Sequence, residues 1–175
     1  MQEQKKREAY RCLVIITDSH IREQLCEFLA DSHIPVYYQM HGIGTASSEW
    51  LELCGLGSIQ KSITLCFIPN GRKKILLAEM NQALSLHKKG TGIAVSIPMN
   101  GMQGFLYKLL NEHTAESDGE EVEKEVKKMS EPITHAMILV TINQGYSDAV
   151  MNTARAAGAT GGTILKGLRC SPGKS

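Results

Sequence analysis

The sequence predicts an α+β fold in which helices pack against a four-stranded sheet. Two observations lead to this prediction. Between about residues 11 and 102, short β-branched runs alternate with longer stretches of one-face apolar spacing, in the order β-α-β-β-α-β. Residues 138–165 repeat the first half of this order at a constant offset, which matches Ile21 with Tyr146 and Leu25 with Val150. The chain is therefore modular, with one full copy and one partial copy in tandem.

The first strand and the first helix are indicated by a change of apolar period. Residues 12–17 are a β-branched run that is too short for a helix. Asp18 or Ser19 is expected to cap the helix that follows, because both side chains can accept a hydrogen bond from its free N–H groups. The helix is expected to end near His33, because Pro35 disfavours helical geometry at the residue before it.

Three further strands and a second helix complete the first copy. Residues 36–40 and 63–68 are predicted as the second and third strands, and residues 93–97 as the fourth. The second helix is expected to end at 88–90, where two lysines precede a glycine. The order β-α-β-β-α-β is that of the ferredoxin-like fold, with two helices on one face of the sheet.

The composition changes between the two copies. Residues 111–134 are rich in acidic side chains and poor in large apolar ones, which favours a solvated linker over an acidic docking segment. The predicted domains are therefore 10–110, the linker 111–134, and a partial βαβ repeat at 135–175.

The partial repeat lacks a third strand. In the ferredoxin-like order that strand lies between the first and the second, so the repeat leaves two strands without their common neighbour. The tail must therefore borrow strands from elsewhere, rearrange its pairing or remain partly disordered. A truncated or frame-shifted reading frame would explain the same sequence.

Composition also limits the class of function. A net charge of +1 argues against a protein that binds nucleic acid or a membrane surface. Apolar runs fall short of the ~20 residues that span a bilayer, and the N-terminus is charged, so a cytoplasmic protein is expected rather than an integral membrane protein. The five cysteines are irregularly spaced and are interpreted as small core residues, rather than metal ligands or disulfides. The sequence shows no nucleophile motif, Walker loop or metal-ligand spacing, so neither an enzyme nor a metal site is predicted.

Two segments resemble a known family. Residues 156–164, with the sequence AAGATGGTI, resemble the helix-to-second-strand segment of nitrogen regulatory PII-like proteins. Residues 90–98, GTGIAVSIP, resemble the loop and fourth strand of the same family. The resemblance implies a cytoplasmic signal-transduction protein in the regulation of nitrogen utilisation. It also implies a trimer that binds ATP, ADP, AMP or another nucleotide between subunits and controls an enzyme or transporter.

The candidate ligand site is a loop between the second helix and the fourth strand. Its glycines let backbone N–H groups point into a concavity and its lysines add positive charge, which together suit a phosphate. A helix C-cap followed by a tight turn is the alternative interpretation. We expect Gly92→Val to abolish ligand binding and to leave assembly intact. The proposed ligand-binding residues of this loop are Lys88, Lys89, Gly90, Thr91 and Gly92.

Gly42 is the remaining predicted site residue, because it matches the glycine at the base of the family's regulatory loop. The corresponding segment, 45–60, lacks the tyrosine that the family uridylylates. Trp50, Leu51 and Leu53 are expected to pack on a neighbouring subunit or to form a partner-binding tip. The aliphatic sheet face predicts a homo-oligomer, specifically a trimer packed sheet to sheet. The alternative function is that of a ferredoxin-like oligomeric structural or metal-tolerance module without a nucleotide site.

Overall fold

The structure, a computed structural model, describes residues 9–43, 60–86, 88, 91–114 and 136–171. The chain separates into two compact units, the first formed by 1–123 with 167–175 and the second by 124–166. In the described part of the first unit, the strands are β1 (Tyr10–Asp18), β2 (Tyr37–Ile43), β3 (Gln60–Pro69), β4 (Gly92–Pro98) and β5 (Gly167–Cys170). Its helices are α1 (Arg22–Asp31), α2 (Lys73–Leu84) and α3 (Gly104–Thr114).

The five strands form one sheet in the order β4-β1-β3-β2-β5. Every neighbouring pair is antiparallel, and Leu13 of β1 lies opposite Cys66 of β3 and Ser96 of β4. The first four strands therefore confirm the predicted ferredoxin-like order, with β3 between β1 and β2. The chain has an α+β fold of this class.

The larger apolar cluster lies between the sheet and the helices α1 and α2. Alternate residues of β1 and β3 point to this face, and each helix buries one apolar stripe against them. This arrangement is the one predicted from the apolar spacing. The fully or nearly fully buried members are Leu13, Ile15, Ile21, Leu25, Leu29, Ile34, Tyr37, Cys66, Ile68, Leu76, Met80 and Leu84.

Helix α3 covers part of the opposite face and was not predicted. Leu110 is 1% exposed and packs with Tyr10, Cys12, Val36 and Phe67 in a second cluster. The two predicted helices lie on one face as expected, and α3 adds a third helix on the other face. The predicted four-strand pattern ends at about residue 102, just before this helix begins at Gly104.

Strand β5 comes from the partial repeat and extends the sheet of the first unit. It pairs with β2, with Cys170 opposite Tyr37 and Gly167 opposite Met40. Of the alternatives left open for the tail, this is the borrowing of a strand partner. The repeat matches residues 138–142 to the first strand, but the structure assigns no strand to them.

The second unit contains one helix within its described residues, α4 (Ser147–Ala156). The helix was predicted from the repeat, but its described residues include no buried side chain. Large apolar side chains on either side of it are also exposed, and apolar surface in water is unfavourable. These exposed residues are Met137, Ile138, Leu139, Val140, Ile142, Tyr146, Ile164 and Leu165.

Two helix ends differ from the predictions. Asp18 provides no side-chain cap to the turn that precedes α1, because its carboxylate pairs with Lys61 of β3 instead. Helix α2 ends at Leu84 rather than at 88–90, and Ser85 takes the left-handed conformation with φ of 52°. Helix ends depend on such tertiary contacts as well as on local residue preference.

Parts of the predicted organisation fall outside the described residues. Of the predicted linker 111–134, the first four residues belong to α3 and the rest lies outside the description. Trp50, Leu51 and Leu53 also lie outside it, so their role and the domain boundaries stay predictions. None of the helices described is long and apolar enough to cross a membrane.

Candidate functional site

The described part of the predicted ligand loop is tied down by its own hydrogen bonds. The Lys88 backbone N–H donates to the Ser85 carbonyl at 2.9 Å, and the Thr91 N–H donates to the Lys88 carbonyl at 3.4 Å. The Thr91 hydroxyl lies 2.9 Å from both of these carbonyl oxygens. Its single proton is therefore directed into the loop, and Thr91 serves to close the turn rather than to donate to an anion.

Gly92 is a glycine because β4 approaches β1 closely at this point. Its φ is +151°, and a Cβ there would lie 2.4 Å from the Ile16 carbonyl oxygen. Gly92 also pairs with Thr17 in the sheet. Gly92→Val was expected to leave assembly intact, but the valine side chain would collide with the backbone of β1.

Lys88 is the predicted site residue that remains available on the surface. It is exposed at the turn after α2, whereas Lys89 and Gly90 lie outside the described residues. An ammonium group on a flexible chain can pair with an anion without a fixed geometry. Among the described residues of the loop, the Lys88 ammonium group is therefore the group available to an anion. The backbone N–H groups of residues 88 and 91 already donate hydrogen bonds within the loop.

Gly42 lies at the same end of the sheet as this loop but not beside it. Gly42 is opposite Lys61, Lys61 is opposite Asp18, and the next residue of β1, Thr17, is opposite Gly92. Three strand spacings separate β2 from β4, so the two glycines are about 14 Å apart. Of the predicted site residues, those that the structure describes therefore lie at one end of the sheet, with Gly42 separated from Gly92 by two intervening strands.

Between the two glycines lies a buried polar cluster that the sequence did not reveal. Lys61 and Asp18 are 5% and 6% exposed and form an ion pair. On the other face of the sheet, the hydroxyls of Thr17, Ser62 and Thr64 are buried and have no hydrogen-bond partner among the described residues. Strand pattern alone would predict apolar residues at these positions. The central strands thus carry charge and unpaired donors close to the candidate loop.

A cavity of about 480 Å³ lies at the opposite end of the sheet. It is formed where β4 turns into α3, and its volume is within the usual range for small-molecule pockets. The edge-to-face pair of Tyr10 and Tyr107 contributes to its wall. The cavity was not predicted, because it depends on α3. Its lining residues are Ala9, Tyr10, Met99, Asn100, Gly101, Met102, Gly104 and Tyr107.

Two of the cysteines behave as the sequence analysis predicts. Cys12 and Cys66 are 7% and 0% exposed and pack in the two apolar clusters. Burial raises the pKa of the Cys66 thiol to about 12, with the neighbouring Cys12 adding to the shift. Burial also raises the pKa of Cys12. Both therefore stay protonated and unreactive at neutral pH.

Within the described residues, no group of three histidine, cysteine or acidic side chains is placed to hold a metal ion.

No protein-family model and no curated protein matches the sequence. Similarity was found among solved structures. A functionally unknown protein from Pediococcus pentosaceus is 13% identical with a TM-score of 0.42, over 55% of this chain and 97% of that one.

Two further solved structures are similar at the same level. A Bacillus cereus protein related to NIF3 is 14% identical with a TM-score of 0.40, over 54% of this chain and 26% of that one. The divalent ion tolerance protein CutA1 from Ehrlichia chaffeensis is 9% identical with a TM-score of 0.42, over 61% of this chain and 96% of that one. The fold class rests on the strand order given above, and neither a ligand nor an assembly is inferred from these three proteins.

Proposed function

We propose that the protein is a PII-like signal-transduction regulator that senses a small anionic ligand, of the adenine-nucleotide type, and controls a partner protein. The observation that carries this proposal is that the turn and the base of the 44–59 segment lie at the same end of the sheet. Lys88 is in the turn before β4, and the segment is flanked by two strand ends, Ile43 of β2 and Gln60 of β3. An anion bound at the turn would therefore lie at the same end of the sheet as the base of the segment proposed to contact the partner.

The charges at this end of the sheet favour binding of an anion over binding of a cation. The only described acidic group in the buried cluster, Asp18, is neutralised by Lys61. Lys88 then contributes an exposed positive charge at the turn. A charge-assisted hydrogen bond to a phosphate is stronger than a neutral one. Thr91 contributes by holding the turn in shape, and Gly92 by allowing β4 to start against β1.

The experiment is a calorimetric titration of the purified full chain with ATP, ADP, AMP and a cyclic dinucleotide. We expect at least one to bind, and Lys88→Gln to weaken that binding by about tenfold through loss of one charge-assisted contact. Lys108→Gln is the matched control, because Lys108 is also an exposed lysine and lies on α3, at 77% side-chain exposure. Absence of binding by all four nucleotides, or an equal loss in the control, would contradict the proposal.

The cavity at the other end of the sheet supplies a second control. Gly101 lines it and has open space around its Cα, so Gly101→Trp would fill the cavity without a clash at Cβ. We expect this variant to bind the nucleotide normally. If Gly101→Trp abolishes binding and Lys88→Gln does not, the ligand occupies the cavity and the site is wrongly placed.

We further propose that the protein acts as a homo-oligomer, most simply a trimer, in the cytoplasm. The face of the sheet that carries α3 is only partly covered, and Ile93 and Val95 of β4 are each 48% exposed on it. They lie opposite Ile16 and Val14 of β1 and form a continuous aliphatic patch with them. Such a patch is typical of a subunit interface.

Light scattering is expected to give three times the mass of one chain. Ile93→Lys should lower that mass to one chain, since it places a charge in the patch. Ile75→Lys, on α2 and 49% exposed, is the matched control and should leave the mass unchanged. A wild-type protein that stays monomeric at micromolar concentration would contradict this assembly.

The proposal includes no catalytic activity, and the regulated partner is an enzyme or transporter, in keeping with a role in nitrogen utilisation. The alternative is an oligomeric structural or metal-tolerance module. It predicts the same assembly, but no nucleotide binding at any concentration tested. The titration therefore separates the two functions, while the light-scattering experiment tests what they share.

A further inference from the structure

Two half-buried thiols meet at one side chain in the first unit. Cys26 lies on α1 and Cys170 on β5, and both pack against the cluster between the sheet and the helices. The Gln39 amide nitrogen donates to Cys26 Sγ at 3.1 Å. The Cys170 thiol donates to Gln39 Oε1 at 3.8 Å. A single amide group therefore bridges two sulfurs that are far apart in the sequence.

We propose that Cys26 and Cys170 are a redox modification site, at which a hydroperoxide produces a disulfide that fastens β5 to α1. In the first step the Cys26 sulfur attacks one peroxide oxygen, the O–O bond breaks, and an alcohol, or water from hydrogen peroxide, leaves with a proton. In the second step the Cys170 sulfur attacks the resulting sulfenic acid. The S–S bond forms, the S–O bond breaks and water leaves. Two thiols are oxidised and one peroxide is reduced.

The hydrogen bonds assign a different role to each sulfur. Cys26 Sγ accepts a hydrogen bond, whereas the Cys170 thiol donates one, so Cys26 is the attacking group and Cys170 the resolving group. Burial, and then the proximity of Cys26, raise the pKa of the Cys170 thiol, which keeps it protonated until the second step. Arg22, one turn before Cys26, donates through Nε to Gln39 Oε1 at 3.1 Å and places a positive charge beside the pair.

Tyr37 completes the surroundings of the pair. Burial raises the pKa of its phenol, and a hydrogen bond with Cys26 adds to that shift. The phenol therefore stays protonated and remains able to hydrogen-bond with the sulfur. Cys12 and Cys66 make useful internal references, because they are buried on opposite faces of the sheet and a peroxide would have to cross packed side chains to reach them.

The consequence concerns the attachment of the tail. Strand β5 has four residues, of which the first three are exposed, and Cys170 is its half-buried end. A short edge strand of this kind opens more readily than the central strands. A disulfide to α1 would close it covalently, so the redox state would set how long β5 stays on the sheet.

The test uses the purified full chain, reduced and then treated with hydrogen peroxide, alkylated and digested without reductant. We expect a crosslinked peptide joining Cys26 to Cys170 that dithiothreitol separates. Amide exchange in 167–170 should slow by about tenfold or more on oxidation. Cys54→Ser is a control variant and should give the same crosslink.

Cys170→Ser should remove the crosslink and leave Cys26 as a sulfenic acid that a cyclic diketone traps. Cys170→Val keeps apolar packing at β5 and should give the same result, which guards against a fold defect in the serine variant. A crosslink that joins other cysteines, or oxidation that leaves both thiols free, would overturn the proposal. So would unchanged amide exchange in 167–170 after the Cys26–Cys170 crosslink has formed.

Discussion

Leu110→Ala tests whether α3 really covers the sheet of its own chain. Leu110 is 1% exposed and lies among Tyr10, Cys12, Val36 and Phe67. The substitution removes three carbon atoms, worth about 2.4 kcal/mol at ~0.8 kcal/mol for each buried methylene group. Part of the resulting cavity would remain, which brings the expected loss in free energy of unfolding to about 3 kcal/mol. The thermal midpoint should fall by roughly 10 °C.

The assay is urea unfolding followed by circular dichroism. The control is Phe105→Ala on the same helix, because Phe105 is 71% exposed, and the change should stay within about 0.5 kcal/mol. A loss below about 1 kcal/mol for Leu110→Ala would refute the packing of α3 on the sheet. The whole face would then be open to a neighbouring subunit, as the sequence analysis expected.

Three further predictions concern single residues. Asp18→Asn should cost about 3 kcal/mol in urea unfolding, because it leaves the buried Lys61 without its counter-charge, and a double variant with apolar residues at both positions should lose less. Burial raises the pKa of Cys66 to about 12 in the folded state, whereas the unfolded chain releases this proton above pH 9.0. The contribution of Cys66 to stability is therefore fully present below pH 9.0 and is lost as the pH rises towards about 12. Between about pH 8 and about pH 10 the wild type should lose roughly 1.4 kcal/mol more than Cys66→Ala in the same assay, and equal losses would contradict this. Gly92→Ala should lower stability by about 2 kcal/mol or more in thermal unfolding, whereas Gly101→Ala, with open space at its Cβ, should have little effect.

The four core strands were predictable because each is a short run that contains β-branched or aromatic residues and has a clear break after it. Helix α3 was not, although its own apolar residues share a face, because the period of a helix does not say against which surface it packs. Strand β5 gives only a weak local signal, because it is four residues long and mostly exposed. Its position depends on the free edge of β2, which is a contact between distant parts of the sequence.

The candidate site shows the same limit at single residues. Gly92 was expected to be glycine for the sake of a phosphate site, whereas the structure shows a steric reason, the nearby Ile16 carbonyl oxygen. Asp18 has a side chain that can cap a helix, but its carboxylate forms an ion pair with Lys61 of β3 instead. Local sequence specifies which residue type a position can accept. The contact that decides between the accepted residue types comes from another strand, and a local sequence pattern does not show it.

The two copies of the repeat differ because only one of them has a third strand. In the first copy β3 lies between β1 and β2 and pairs with both, which satisfies the backbone groups along their facing edges. In the second copy, the described residues that correspond to β1 are not assigned to a strand, and Ile138 is 85% exposed. The only described strand of that copy, β5, forms where it finds an edge with unpaired backbone groups, namely β2. The apolar pattern of a strand is thus insufficient by itself, because a strand forms only where a neighbour accepts its hydrogen bonds.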